Sequence, residues 1–359
     1  MSLKFRESIK QISEYKPGTS IEDVKRTYGL TEVIKLASNE NPYGCPVSLD
    51  ELKEALDRSV YYPDPLNHPL YKNLSAHNSI KEKQLVLGNG SDNVLEMVAL
   101  SFIEKGTDVI SSEHSFSVYK HVTQLMAANY IEVPMKDFTI DLEAISKKVS
   151  QNTRVIFIAN PNNPTGTACT AEQVDTFMST IPTSVVVVID QAYIEFAGPE
   201  YQLNNPSFIK KYPNAVITKT FSKAYGLAGF RIGYGMASSE IISIFHKVRA
   251  PFNVNQMALF AADMALTKTD FLKQTINNNS LEKTFLVSEL TKLGLTVLPS
   301  QANFLCCFSN KLGRDIYNDL IKEGIIIRSL ETFDIPNGIR ISIGKNDQNR
   351  LFLDKYKTI

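Results

Sequence analysis

Ser184-Val185-Val186-Val187-Val188-Ile189-Asp190-Gln191-Ala192-Tyr193 is the stretch that decides the fold. From Val185 to Ile189 every residue is apolar and β-branched, with no alternation of polar and apolar positions. A strand apolar on both sides is buried on both sides, as in a parallel sheet covered by helices. Working outward, Gln84–Leu87, Asp108–Ser111, Arg154–Ala159 and Ala215–Lys219 read as companion strands to Ser184–Ile189. Helical patterns lie between them, as at Asp92–Glu104 and Ala171–Thr180. This order predicts an α/β fold: an α/β/α sandwich around a mostly parallel sheet.

After Pro251 the pattern changes. A helical region, Asn255–Leu293, precedes short strands near Leu295–Leu298, Phe304–Phe308, Ile325–Ile327 and Gly338–Ile343, with a helix near Gly313–Glu323. That predicts a smaller α+β domain over 251–359, a large domain over 31–250, and an N-terminal segment, 1–30, too short to fold alone and packed on the small domain.

The 359 residues, 43% of them hydrophobic, can bury a substantial core. Lys+Arg and Asp+Glu both number 38, and zero net charge argues against nucleic acid or an anionic membrane as partner. The four cysteines form no CxxC pair, and adjacent Cys306 and Cys307 read as core residues. The five histidines lack HxxxH or HExxH spacing, so no metal site is expected. No run approaches about 18 apolar residues. The polar N-terminus lacks a signal-peptide core. A cytoplasmic protein is expected.

Four strings after strands carry the chemistry. Gly88-Asn89-Gly90-Ser91-Asp92 opens a helix, where glycine backbone and the helix N-terminus favour a phosphate. An ordinary Gly-rich turn reads equally well. Asn160-Pro161-Asn162-Asn163-Pro164-Thr165-Gly166 follows RVIFIA, and an Asn held between prolines can present its amide rigidly where α/β sheets bind ligands. The plain alternative is a turn. Asp190 ends an apolar strand, where a desolvated carboxylate needs a cationic partner. A protonated pyridine nitrogen is such a partner; a turn-capping role is the alternative. In Thr220–Arg231, TFSKAYGLAGFR, Lys223 stands among hydroxyls and small residues with Arg231 eight positions on. A lysine confined near cations loses its proton and becomes a nucleophile toward an aldehyde.

GNGSD, NPNNPTG, DxAY, TFSKAYGLAGFRIGYG and IRISIG, in this order, resemble the fold-type I pyridoxal-phosphate (PLP) aminotransferases. YKPG, IKLASNENPYG, YYPD, VRAPFNVN, ANF and GIIIRSL narrow the resemblance to the histidinol-phosphate aminotransferase family, from about Tyr15 to Gly344. The resemblance implies that Lys223 is the Schiff-base lysine and proton carrier, and that Asp190 pairs with the pyridinium nitrogen. It implies that Asn163 and Tyr193 bond the ring's 3-oxygen and that Phe116 stacks on the ring. Ser91, Asp92, Ser222 and Arg231 then hold the phosphate, and Tyr62 reaches it from the other subunit of a homodimer. Tyr15, Arg328 and Arg340 match substrate-binding positions, with Asn39 in a loop near the substrate. Three departures stand out: Gln191 replaces the usual Glu, Asn93 replaces the Glu of GSDE, and Phe252 replaces a Tyr of some members.

The implied reaction is amino transfer between histidinol phosphate and 2-oxoglutarate by a ping-pong route. Rivals are an aromatic or broad-specificity aminotransferase, a PLP-dependent threonine-phosphate decarboxylase, and a non-catalytic ligand sensor. The last needs a DNA-binding module, for which the roughly 30 residues before KLASNENPYG leave no room.

Overall fold

The computed structural model describes residues 3–12, 14, 18–64, 66 and 68–359. The strands are β1 (Ile34–Lys35), β2 (Leu85–Gly88), β3 (Asp108–Ser112), β4 (Asn129–Val133), β5 (Thr153–Ala159), β6 (Val186–Asp190), β7 (Ala215–Thr220), β8 (Gly233–Ala237), β9 (Thr296–Val297), β10 (Phe304–Phe308), β11 (Ile325–Ile326), β12 (Arg328–Ser329) and β13 (Gly338–Ser342). Seven of them form the main sheet, in the order β2-β8-β7-β6-β5-β3-β4. All its pairings are parallel except the two made by β8.

β6 shows why the sheet is covered on both faces. Val187 and Ile189 pack into one core with Ile156, Ile158 and Ile217. Val186 and Val188 pack into the opposite core with Phe157, Val216 and Tyr119. Side chains alternate along a strand, so Asp190 falls on the face of Val186 and Val188, as does Thr218 on that of Val216. The fold thus delivers a carboxylate and a hydroxyl to one spot at the sheet's carboxyl edge.

Two strands of the main sheet escape the sequence reading. β4 is a partly exposed edge strand carrying Asn129 and Glu132, so its apolar signal is weak. β8 lies inside the glycine-rich string, and its glycines are there for packing. A Cβ on Gly235 would stand 2.7 Å from Val94, and one on Gly233 would run into the backbone at Ser91. The glycines let β8 lie against the helix Ser91–Phe102.

The smaller sheet is antiparallel, in the order β12-β13-β10-β9. The single strand expected at Ile325–Ile327 is two: β11 pairs with β1, and β12 pairs with β13. The helical region expected at Asn255–Leu293 is also two elements, Gln256–Thr267 and Thr269–Lys292, broken at Lys268.

Packing crosses the expected limits of the units. Leu36, after β1, joins the core of the small sheet, whereas Ala258, Leu259 and Ala262 of the helix Gln256–Thr267 join the large one. The N-terminal segment also divides. Val24 of the helix Ile21–Tyr28 packs with Ile321 and Ile326 of the small unit. The turn Glu7–Gln11 lies instead against Ser117–Leu125 of the large unit, where Arg6 donates to the Leu125 carbonyl. No helix among the described residues is long and apolar enough to cross a membrane.

Candidate active site

Asp190 is 4% exposed at the end of β6. Tyr119 Oη donates to its Oδ2 at 2.8 Å, and Thr218 Oγ1 to its Oδ1 at 3.0 Å. Burial pushes its pKa up to about 6, against the pull of these two hydroxyls. No ion pair forms on it within the chain's described residues. A buried carboxylate with neutral donors alone is a seat for a cationic ligand.

β7 ends at Thr220, and the following turn presents Ser222 and Lys223. Lys223 Nζ donates to the Ser38 carbonyl at 2.9 Å and lies 5.7 Å from the Tyr193 ring. Burial, and then the charge of Arg340, lower its pKa to about 8. A substantial neutral fraction at neutral pH makes it a nucleophile toward an aldehyde.

Arg340, on β13, is 7% exposed and has no carboxylate partner among the described residues. It donates to Asn163 Oδ1 and, at 2.6 Å, to the Ala37 carbonyl, with its Nε left unpaired. Its guanidinium sits 5.4 Å from the centre of the Phe304 ring. Burial lowers its pKa to about 10, so it stays charged at neutral pH. Such a buried, unpaired cation is a built anion site.

Asn163 thus turns its oxygen to Arg340 and keeps its Nδ2 for the pocket. The other loop asparagines hold the loop. Asn160 bridges Cys169 with two bonds, and Asn162 joins Ser115, His114 and Thr165.

Gly90, Ser91, Asp92, Ser222 and Arg231, where the sequence reading places a phosphate, lie close together. Gly90 has φ +80 and leaves the helix Ser91–Phe102 without a side-chain cap, so its first N–H groups are free for an anion. Arg231 reaches Ser222 Oγ at 3.5 Å and Asp92 Oδ2 at 3.5 Å. A Cβ on Gly90 would stand 2.6 Å from Arg231 Nη2. Asn93 accepts from Asn89 N and, at 2.9 Å, from Asn253 Nδ2, which ties this loop to VRAPFNVN. The departure from Glu is thereby put to structural use.

The remaining expected residues are placed as follows. Phe116 lies beside the site, edge-on to Tyr119 at 5.7 Å. Arg328 is the direct cross-strand partner of Arg340, so the two share a face of the small sheet. Asn39 is buried and bonds to the Tyr193 hydroxyl rather than facing open solvent. Tyr62 does not join the cluster within one chain. It is 81% exposed and stacks on Phe252 at 4.7 Å. Tyr15 lies outside the described residues. Gln191 is buried with Nε2 unpaired, and nothing in the structure explains it.

The sequence reading missed Tyr119, Thr218 and Ser38. Tyr119 lies three residues beyond Phe116 on the helix Ser117–Leu125, and Thr218 two residues before Thr220. Both positions were legible as periodicity, but their common target was not. Among the described residues no group of three or more His, Cys, Asp or Glu side chains could hold a metal ion.

The arrangement fits one group closely: a flat cationic ring against Asp190, an aldehyde beside Lys223 and a phosphate at the uncapped helix start. Together with the doubly covered sheet, it defines a fold-type I pyridoxal-phosphate enzyme. The chain belongs to the class I and II aminotransferase family, whose model matches residues 31–355. It is 40% identical to histidinol-phosphate aminotransferase 2 of Pasteurella multocida, over 97% of this chain and 95% of that protein. It is 39% identical to histidinol-phosphate aminotransferase 2 of Pseudomonas fluorescens, over 98% and 96% respectively. The solved histidinol-phosphate aminotransferase of Sinorhizobium meliloti, in complex with pyridoxal-5'-phosphate, superposes with a TM-score of 0.91 at 27% identity, covering 100% of this chain and 99% of that one. An L-threonine-O-3-phosphate decarboxylase from Porphyromonas gingivalis, at 22% identity and a TM-score of 0.78, shares the fold alone. The protein is a PLP-dependent aminotransferase.

Proposed function

We propose that the chain transfers an amino group reversibly between L-histidinol phosphate and 2-oxoglutarate by a ping-pong route, as a step of histidine biosynthesis in the cytoplasm. The observation that carries this reading is the Arg340–Arg328 pair. Arg328 and Arg340 are directly paired across β12 and β13, and among the described residues neither has a carboxylate partner. Like charges so placed repel each other unless an anion lies between them. A phosphate ester carries enough charge for both, and a carboxylate can use the same fork.

PLP, when bound, supplies an aldehyde that takes up amines and a ring that draws electrons from the bond being broken. Asp190 would keep that ring cationic; Asn163 and Tyr193 would bond its 3-oxygen, Phe116 would cover its face, and Ser91, Asp92, Ser222 and Arg231 would hold its phosphate. Lys223 would hold the cofactor's aldehyde end, and its Nζ is the group that would move the proton at the substrate's α-carbon. Tyr62 acts from the partner subunit of a homodimer with shared sites. Its exposure among Val60, Tyr61 and Phe252 supports a surface that another chain covers.

Steady-state kinetics with histidinol phosphate, phenylalanine and threonine phosphate as separate substrates tests the reading. We expect kcat/KM for histidinol phosphate to exceed that for phenylalanine at least about tenfold, or ~1.4 kcal/mol. Preference for phenylalanine points to an aromatic aminotransferase. Release of carbon dioxide from threonine phosphate points to a decarboxylase.

A further inference from the structure

We infer that Ser342 is a positioning residue that sets the direction of the Tyr193 hydroxyl through the side-chain amide of Asn39, whose backbone Asn303 holds, so that the hydroxyl donates into the cofactor pocket. This rests on the reading of Tyr193 as a donor to the ring's 3-oxygen. Asn39 is 1% exposed and adopts φ 55, a left-handed conformation that its neighbours must hold.

Each polar group of Asn39 is engaged. Its N–H donates to Ser342 Oγ at 2.8 Å, and its carbonyl accepts from Asn303 Nδ2 at 3.0 Å. Its Oδ1 is 3.0 Å from Ser342 Oγ, and its Nδ2 is 3.0 Å from the Tyr193 oxygen. A backbone N–H can only donate, so the Ser342 hydroxyl accepts there and has its own proton left for Asn39 Oδ1. That fixes the amide, with oxygen toward Ser342 and Nδ2 toward Tyr193. The tyrosine oxygen therefore accepts from Asn39. Its own proton has no acceptor among the described residues and is free for a ligand beside Lys223. With the amide reversed, Asn39 Oδ1 would take the tyrosine proton and the pocket would meet a lone pair.

Both holders belong to the small sheet. Ser342 ends β13, opposite Phe304, and Asn303 directly precedes Phe304 at the start of β10. The small unit thereby sets the polarity of a hydroxyl that stands on the large one.

The test is a thermodynamic cycle on apoprotein, with dissociation constants read by absorbance. The ligands are PLP and its 3-deoxy analogue, which lacks the ring oxygen. We expect Ser342→Ala to weaken PLP about fivefold, the equivalent of one ~1 kcal/mol hydrogen bond, and to leave the analogue within about twofold. In a Tyr193→Phe background the Ser342→Ala effect should vanish. Asn39→Asp, which offers only acceptors to Tyr193, should reproduce the loss even if Ser342→Ala folds poorly. Equal weakening of both ligands, survival of the effect without the tyrosine hydroxyl, or unchanged PLP binding in both variants would overturn the inference. Borohydride labelling of wild-type Lys223 by PLP is the separate control. Its failure would sink the functional reading instead.

Discussion

Asp190 and Lys223 are both pushed by burial toward their neutral forms, to about 6 and about 8. For Asp190 the folded pKa lies above the ordinary aspartate value of 3.8. The folded state therefore holds the proton more tightly, and apoprotein stability falls as pH rises from about 4 through about 6. Roughly two pKa units amount to about 3 kcal/mol. We expect apo Asp190→Asn to lack this slope and to melt above wild type at pH 7, while losing at least about tenfold in kcat, or ~1.4 kcal/mol. Parallel melting curves of the two proteins from pH 4 to 7 would refute the assignment. For Lys223 the sign is opposite, because the reactive amine appears as pH rises through about 8. The rate of PLP uptake by apoprotein should climb through that pH. Arg340→Met, by removing the nearby positive charge, should move the midpoint upward. An unmoved midpoint would leave burial as the sole cause.

The elements turn these residues into a site. Gly233 lets β8 touch the start of the helix Ser91–Phe102, which fixes the free N–H groups beside Arg231. Gly233→Ala forces strand and helix apart. We expect a lower melting temperature and a PLP dissociation constant raised at least about tenfold, or ~1.4 kcal/mol. Full affinity in a folded variant would show that the helix start does not hold the phosphate. Similar logic applies to β12 and β13, whose register sets Arg328 beside Arg340. Arg340→Ala should depress both half-reactions at least about tenfold, since one charged contact is worth roughly 2–5 kcal/mol when desolvated. Arg328→Ala should harm the histidinol-phosphate half more. Single-turnover absorbance with donor and oxo acid separately decides this, and damage to only one half in Arg340→Ala would end the shared-anchor idea.

At the scale of the whole molecule, one chain leaves Tyr62 away from its expected work. It lies on the surface with Phe252, at the edge of a cavity of about 400 Å³ also lined by Arg58, His68 and Phe260. The proposed homodimer with shared sites would cover that surface. Tyr62→Ala and Lys223→Ala, each weak alone, should regain about a quarter of wild-type activity when mixed and re-associated. Random pairing makes half the dimers mixed, and each mixed dimer has one intact site. Sedimentation of a fully active monomer would exclude this.

Sequence alone determined the doubly covered sheet, because an unbroken apolar run can be satisfied only by cover on both faces. It also marked Lys223, Asp190, Asn163 and the phosphate loop, since each directly follows a strand and strand ends converge at one edge. What it left open needed contacts between residues far apart in the chain. Tyr119 and Thr218 are ordinary core positions until Asp190 arrives between them. β8 was not legible as a strand because its glycines answer to a helix about 140 residues earlier rather than to any local preference. The amide of Asn39 acquires its orientation only from Ser342, 303 residues away. Local pattern encodes which faces are buried. Which hydrogen-bond partner ends up opposite which is decided only when the two sheets meet.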